Sequence, residues 1–204
     1  MMKQYKWVLG LILIAGFIFA VGCAETPASD QVIGKVKSAV VAVNSASGWV
    51  YEGSGTIVTN NHVVAGMQDI TVRLNNGKTY APISIKADPE ADLAVLKIQA
   101  GILPALKISD GAKVKVGDPV VAVGNSNGKG IAGSKGVITR LGVQGSYYFN
   151  IIETNAALYQ GNSGGPLVNM DGEIIGITFQ KSPDGMGYAI NIQEALPVIQ
   201  RLIQ

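Results

Sequence analysis

The chain is 204 residues long and has one cysteine and one histidine. A single cysteine excludes an internal disulfide, whatever the redox state of the compartment. One histidine with one cysteine leaves no cluster of nitrogen and sulfur ligands, so no metal site is expected, and nothing else in the sequence calls for a cofactor. Charge is also scarce: 15% of residues are charged and the net charge is +2. Lys3 and Lys6 account for that excess, because the other basic residues equal the 14 acidic ones in number. No polybasic surface for nucleic acid is implied. Aromatics are only 6%, but hydrophobic residues reach 48%, enough for a globular core.

Long apolar runs are absent after the first two dozen residues. The start reads "MMKQYKWVLGLILIAGFIFAVGC". Lys3 and Lys6 precede an apolar run, Trp7 to Val21, that is shorter than the roughly 20 residues of a comfortable membrane span. This pattern predicts an export signal over residues 1–22. Cys23 closes the run as "AVGC", which resembles a bacterial lipoprotein box with Ala20 where Leu is more usual. That resemblance implies lipidation at Cys23 and a short tether over 23–30. The domain at 31–204 is then exported, and anchored by lipid outside the cytoplasmic membrane or facing the periplasm.

Beyond the tether the chain is rich in short β-branched runs broken by turn residues. "AVVAV" (39–43), "GTIVT" (55–59), "DITVRL" (69–74), "DLAVLKI" (92–98), "PVVAVG" (119–124), "GVITRL" (136–141), "NIIET" (150–154), "PLVNM" (166–170) and "EIIGITF" (173–179) read as strands. Asn76-Gly77 and Asp171-Gly172 read as hairpin turns. Strands without alternating helices predict an all-β antiparallel sandwich or barrel. The exception is 191–204, where Ile192, Leu196, Ile199 and Leu202 have helical spacing. Asn191 and Glu194 suggest a capping box, and Pro197 suggests a start nearer that residue.

Ser163 sits in "LYQGNSGGPL" among three glycines. A serine hydroxyl needs a neighbouring base to act as a nucleophile, and the base needs an orienting acid. His62 is the one histidine available. "GNSGG" also fits the nucleophile elbow of α/β-hydrolases, but that fold requires a histidine after the serine and alternating helices, and both are missing. The order His, acid, Ser remains. The acid lies among Asp69, Asp88, Glu90, Asp92, Asp110, Asp118 and Glu153. Asp92 is favoured because it opens an apolar strand, though spacing alone does not separate it from Asp88.

"GSGTIVTNNHVVAG" (53–66), "ADLAVLKI" (91–98), "VVAVGNSNG" (120–128) and "GNSGGPLVNMDGEIIGI" (161–177) resemble, in order, the protease domain of the HtrA (DegP-like) serine proteases. The resemblance implies an all-β, chymotrypsin-like fold of two six-stranded antiparallel β-barrels with a C-terminal helix. It implies a serine endopeptidase acting on unfolded or extended polypeptides without metal or cofactor. His62 would be the general base, Asp92 its orienting acid and Ser163 the nucleophile, with the N–H groups of Gly161 and Ser163 as the oxyanion hole. Assembly is left open, since family members are often trimers. The alternative is a non-catalytic lipoprotein that uses the same fold to bind partners.

Three departures from the family pattern stand out. Only "TIV" separates "GSG" from "TNNH", which predicts a trimmed hairpin in the first barrel. "ALYQ" replaces the usual residues before the nucleophile motif. The chain ends at Gln204 just after the helix, so the family's common peptide-binding PDZ domain is not expected. Asn162 replaces the aspartate of zymogen-activated relatives, so no switch driven by a newly cut N-terminus is expected. Alignment on Ser163 runs the specificity pocket through Ala157, Leu158 and Tyr159, faced by Ile177 and Thr178. None is acidic, which disfavours a cationic substrate side chain and predicts cleavage after small or medium aliphatic residues. "GKGIAG" (128–133) matches a dinucleotide fingerprint, but a strand-like run comes next where a helix is required.

Overall fold

The computed structural model describes residues 28–110, 114–144 and 150–204. The expected signal segment and Cys23 lie outside the described residues. Ala28 to Asp30, expected in the tether, instead open helix α1 (Ala28–Val36). The helix forms because Val32 and Val36 can bury one face while Asp30 and Lys35 stay outside. It lies so close to the sheet that a Cβ on Gly133 would come within 2.5 Å of Ile33.

Two β units come after it. The first contains β1 (Val40–Val43), β2 (Ala46–Glu52), β3 (Thr56–Thr59), β4 (Val72–Arg73), β5 (Thr79–Tyr80), β6 (Ser84–Asp88) and β7 (Leu93–Lys97). They pair antiparallel in the order β5-β4-β1-β2-β3-β7-β6. This unit is therefore a seven-stranded sheet with two ends, where a six-stranded barrel was expected. The difference comes from "DITVRL" and the residues after Asn76-Gly77, which make only a two-residue ladder, β4 with β5. The second unit contains β8 (Pro119–Asn125), β9 (Ile131–Gln144), β10 (Asn150–Thr154), β11 (Pro166–Val168), β12 (Ile174–Lys181) and β13 (Gly187–Asn191). It closes as β10-β13-β12-β11-β8-β9, a six-stranded barrel as expected.

The first hairpin is not trimmed. β2 and β3 pair Trp49 with Val58 and Val50 with Ile57, and Gly53–Gly55 is the turn between them. Gly55 has φ +96° and donates to Glu52 O at 3.0 Å. The "GSG" motif at 53–55 is thus a hairpin turn, and "ASGWVYE" ahead of it is a full strand.

Helix α2 (Ile192–Ile203) closes the chain. Its start is Ile192, not Pro197: the Asn191 side chain accepts from Gln193 N at 3.0 Å. Glu194 does not complete a capping box; its carboxylate accepts from Asn150 N at 2.6 Å. Ile192, Ala195 and Ile199 are buried against the strands. Leu93, Leu96, Ile57 and Trp49 fill the core of the first unit, and a buried aliphatic chain of this size is worth about 1.5–3 kcal/mol.

Candidate active site

Strand pairing brings His62 and Asp92 together. β3 and β7 are antiparallel neighbours with Thr59 opposite Ala94. Asp92 immediately precedes β7, and His62 lies three residues past Thr59 in a single helical turn, Asn61–Val63. Both therefore sit at the same end of the pair. Asp92 holds φ +49°, a left-handed conformation that Asp tolerates better than most residues. Its carbonyl accepts from Asn61 N at 3.1 Å and from Asn60 Nδ2 at 3.0 Å. Its carboxylate, 2% exposed, accepts from His62 N at 2.9 Å through Oδ1 and contacts His62 Nδ1 at 2.8 Å through Oδ2. An ionised carboxylate only accepts, so Nδ1 carries the hydrogen and Nε2 of the neutral ring is an acceptor. The His62 side chain is 44% exposed, so the clamp holds one edge of the ring and leaves the rest open. Two of the competing acids are engaged elsewhere. Asp88 accepts from Ala91 N and pairs with Arg201, and Glu153 is held by Arg140 and Thr139.

Ser163 sits in the loop between β10 and β11. Asn162 N donates to Tyr159 O at 3.0 Å, Gly165 N to Asn162 O at 2.9 Å and Gly164 N to Thr178 O at 2.7 Å, so the chain turns sharply. Gly161 has φ +94° and Gly164 +82°. Close approach also forbids side chains there. A Cβ on Gly161 would lie 2.3 Å from Asn125 O, and one on Gly164 would lie 2.2 Å from Thr59 Oγ1. The second contact sets the serine loop directly against the end of β3 that leads into His62.

The peptide groups of this loop are oriented from behind. In a trans peptide the C=O and N–H point opposite ways, and no cis bond occurs among the described residues. Gln160 O accepts from Asn127 N at 2.7 Å, and Asn162 O accepts from Thr178 Oγ1 at 2.7 Å. The N–H groups of Gly161 and Ser163 are therefore turned away from those partners. Neither has an acceptor among the described residues. The Ser163 hydroxyl donates to Phe179 O at 3.1 Å.

A pocket of about 180 Å³ opens beside Ser163, lined by Leu158, Tyr159, Gln160, Phe179, Gln180 and Lys181. Leu158 and Tyr159, expected in the specificity pocket, are in its lining. Ile177 and Thr178 are not: Ile177 is buried in the core, and Thr178 turns its hydroxyl onto Asn162 O and Gly165 O. The wall lies one to three residues further along β12, where a register shift between Thr178 and Gln180 re-aims the strand. A larger cleft of about 510 Å³, lined partly by Asp110, Asp118, Asp171 and Glu173, shares no residue with this pocket and holds no histidine or cysteine.

The "GKGIAG" segment opens strand β9, not a helix. The residues just before it brace the serine loop: Asn127 N donates to Gln160 O, and Ser126 Oγ donates to Asn162 Oδ1 at 3.0 Å. Sequence reasoning missed Asn60 and Ser126, which carry these supporting bonds, and also Ser47 and Thr59, which bond to each other and, through Ser47 Oγ, to Gly161 O. Ser47 was readable only as one of the small polar residues of "NSASG" (44–48) ahead of an apolar run.

The trypsin-like peptidase domain family matches residues 46–177. A probable periplasmic serine endoprotease, DegP-like, of Hahella chejuensis (strain KCTC 2396) is 39% identical over 168 residues, 79% of this chain and 36% of the relative. Its namesake in Buchnera aphidicola subsp. Schizaphis graminum is 43% identical over 155 residues, 68% of this chain and 32% of the relative. The chain thus spans about a third of the length of the curated relatives it matches. Among solved structures, the HtrA-type protease AlgW with a decapeptide superposes with a TM-score of 0.81 at 30% identity, covering 85% of this chain and 67% of that one. The serine endoprotease from Yersinia pestis gives 0.78 at 34%, covering 85% and 66%. By the family model and these relatives, the chain belongs to the trypsin-like peptidase family, as an HtrA/DegP-like protease domain.

Proposed function

We propose that the chain is a serine endopeptidase working through His62, Asp92 and Ser163. The observation that carries this reading is the clamp of one buried carboxylate on both the main-chain N and the ring Nδ1 of the single histidine. That clamp fixes the tautomer whose Nε2 can take a proton. Ser163 Oγ turns from Phe179 O towards His62, gives its proton to Nε2 and attacks the substrate carbonyl. The N–H groups of Gly161 and Ser163 receive the oxyanion, and one such donor is typically worth about 2.7–4 kcal/mol of barrier. Asp92 stabilises the imidazolium, Nε2 returns the proton to the leaving amine, and water then releases the acyl group from Ser163. A fluorophosphonate should label Ser163, and the full chain should cut an unfolded protein such as reduced casein. Ser163→Ala should lose both while keeping its melting temperature. Cutting that survives this change refutes the nucleophile, and a wild type that neither labels nor cuts favours a partner-binding role.

Polypeptide is the substrate class, as the peptide-bound AlgW structures suggest for that relative. The pocket beside Ser163 has apolar walls in Leu158, Tyr159 and Phe179, and a cation, Lys181, at its lining. A substrate Arg or Lys would find no acid there, so cleavage is expected after small or medium aliphatic residues. Cut sites mapped on an unfolded protein should show this, and a majority after Arg, Lys, Asp or Glu would refute it. The relatives are described as periplasmic. We place this chain outside the cytoplasm too, held at the membrane by lipid on Cys23. Labelled palmitate should enter the wild type and not Cys23→Ala; equal labelling refutes the anchor.

A further inference from the structure

We propose that Ser47 is the positioning residue that keeps the oxyanion loop in its working shape, an inference that rests on the protease reading above. Ser47 is the second residue of strand β2 and is fully buried. All its polar atoms are engaged around the serine loop. Its Oγ donates to Gly161 O at 2.5 Å and accepts from Asn125 N at 2.7 Å. Its N donates to Ser163 O at 2.9 Å, and its carbonyl accepts from Thr59 Oγ1 at 2.6 Å.

Four successive carbonyls of the loop, from Gln160 to Ser163, are tied down from behind. Asn127 N holds the first, and Thr178 and Gly165 hold the third. Ser47 holds the second with its side chain and the fourth with its main chain. Those two peptides alternate with the two that carry the Gly161 and Ser163 N–H groups. Twisting either of them reorients a donor. Through Thr59 the same residue is tied to the end of β3 that leads into His62, so the loop and the histidine share one anchor.

The site accepts little besides serine. A Cβ on Gly124 would lie 2.6 Å from Ser47 Oγ, and one on Gly165 would lie 3.2 Å from Ser47 Cβ. The side chain therefore fills a slot between two glycines. Deleting the hydroxyl frees less than the roughly 30 Å³ share of a water molecule. No solvent replaces it, and Gly161 O and Asn125 N are both left without a partner.

The test compares wild type with Ser47→Ala in the full chain, well below the melting temperature of each. The expected result is a fall in kcat of about tenfold to a hundredfold with KM within about threefold, since removing a whole oxyanion donor costs about a hundredfold to a thousandfold. Hydrogen–deuterium exchange over residues 159–166 should accelerate at least about tenfold, because a loop no longer tied at Gly161 O opens more often and breaks the bonds of the Asn162, Gly164 and Gly165 amides to Tyr159 O, Thr178 O and Asn162 O. A variant with a lower melting temperature but unchanged kcat and exchange in this segment overturns the proposal, since a merely structural serine would behave so. If Ser47→Ala does not fold, Ser47→Cys, close in shape but a weak donor, takes its place with the same expectations. If the wild type proves inactive, the protease reading falls, and the exchange measurement alone decides the role of Ser47 in the loop.

Discussion

Changing Asp92 to Asn tests the proposed mechanism with little disturbance of the fold. Asn tolerates the left-handed backbone of this position (φ +49°) about as well as Asp, so no strain is introduced. The structure dictates which way the new amide faces. His62 N donates to one carboxylate oxygen, and a main-chain N–H cannot become an acceptor. The amide oxygen must stay there, so the NH₂ group faces His62 Nδ1, where Oδ2 now lies at 2.8 Å. Nδ1 then has to accept, its hydrogen moves to Nε2, and the atom that should take the Ser163 proton already carries one. Turning the amide over would put NH₂ against the His62 N–H and leave that donor unpaired, costing about 1–3 kcal/mol, or roughly 5- to 150-fold at 1.36 kcal/mol per tenfold. Loss of the negative charge that supports the imidazolium accounts for the remainder. The expected total is about ten-thousand-fold in kcat, the loss this change produces in the Ser-His-Asp template. Turnover of a peptide ester or amide, with Ser163→Ala as the floor, measures it. A loss of less than about tenfold, in a variant that melts like the wild type, would refute the assignment of Asp92.

Gly164→Ala should destabilise the domain, because a left-handed Ala costs about 1–2 kcal/mol and the methyl overlaps Thr59 Oγ1 and Ser47 O, adding about 1–3 kcal/mol. At about 2–4 °C per kcal/mol for a chain of this size, calorimetry should show a clear fall in Tm; a change within about 1 °C would contradict the packing. Glu153 is held below the ordinary carboxylate range, chiefly by its hydrogen bonds from the Arg140 guanidinium, with burial pushing the other way and Thr139 assisting. A lowered folded value stabilises above the unfolded pKa and is lost as pH falls through the folded one. The Tm gap between wild type and Glu153→Gln should therefore be widest near neutrality and close as pH drops below the ordinary value of 4.5; a gap that stays constant into acid would show that the charge is not responsible.

Much of this molecule is local and so readable in one dimension. β-branched runs such as "NIIET" form strands wherever they lie, and β10 matches it residue for residue. Gly77 and Gly172 take the positive φ that their hairpins require. The single histidine confined any Ser-His chemistry to His62, and block order set the acid after it and the serine after the acid. Other features depend on which segments meet. "GSG" at 53–55 reads equally well as a strand edge or a turn, and only pairing with β3 makes it the turn. Leu158 could be placed by counting back from Ser163, but Phe179 and Lys181 reached the pocket through a shift of register that no linear spacing encodes. Among the nearby carboxylates, Asp92 faces the histidine because β3 and β7 are neighbours, while Asp88 is taken by Arg201 of the last helix, 113 residues away. Ser47 lies 114 residues before the carbonyl it holds. A hydrogen bond depends on position and direction to within a fraction of an ångström and a few tens of degrees. Composition and spacing determined that this chain makes strands and has one possible base for a serine, but such bonds exist only once the sheet and the barrel have packed and brought distant segments into contact.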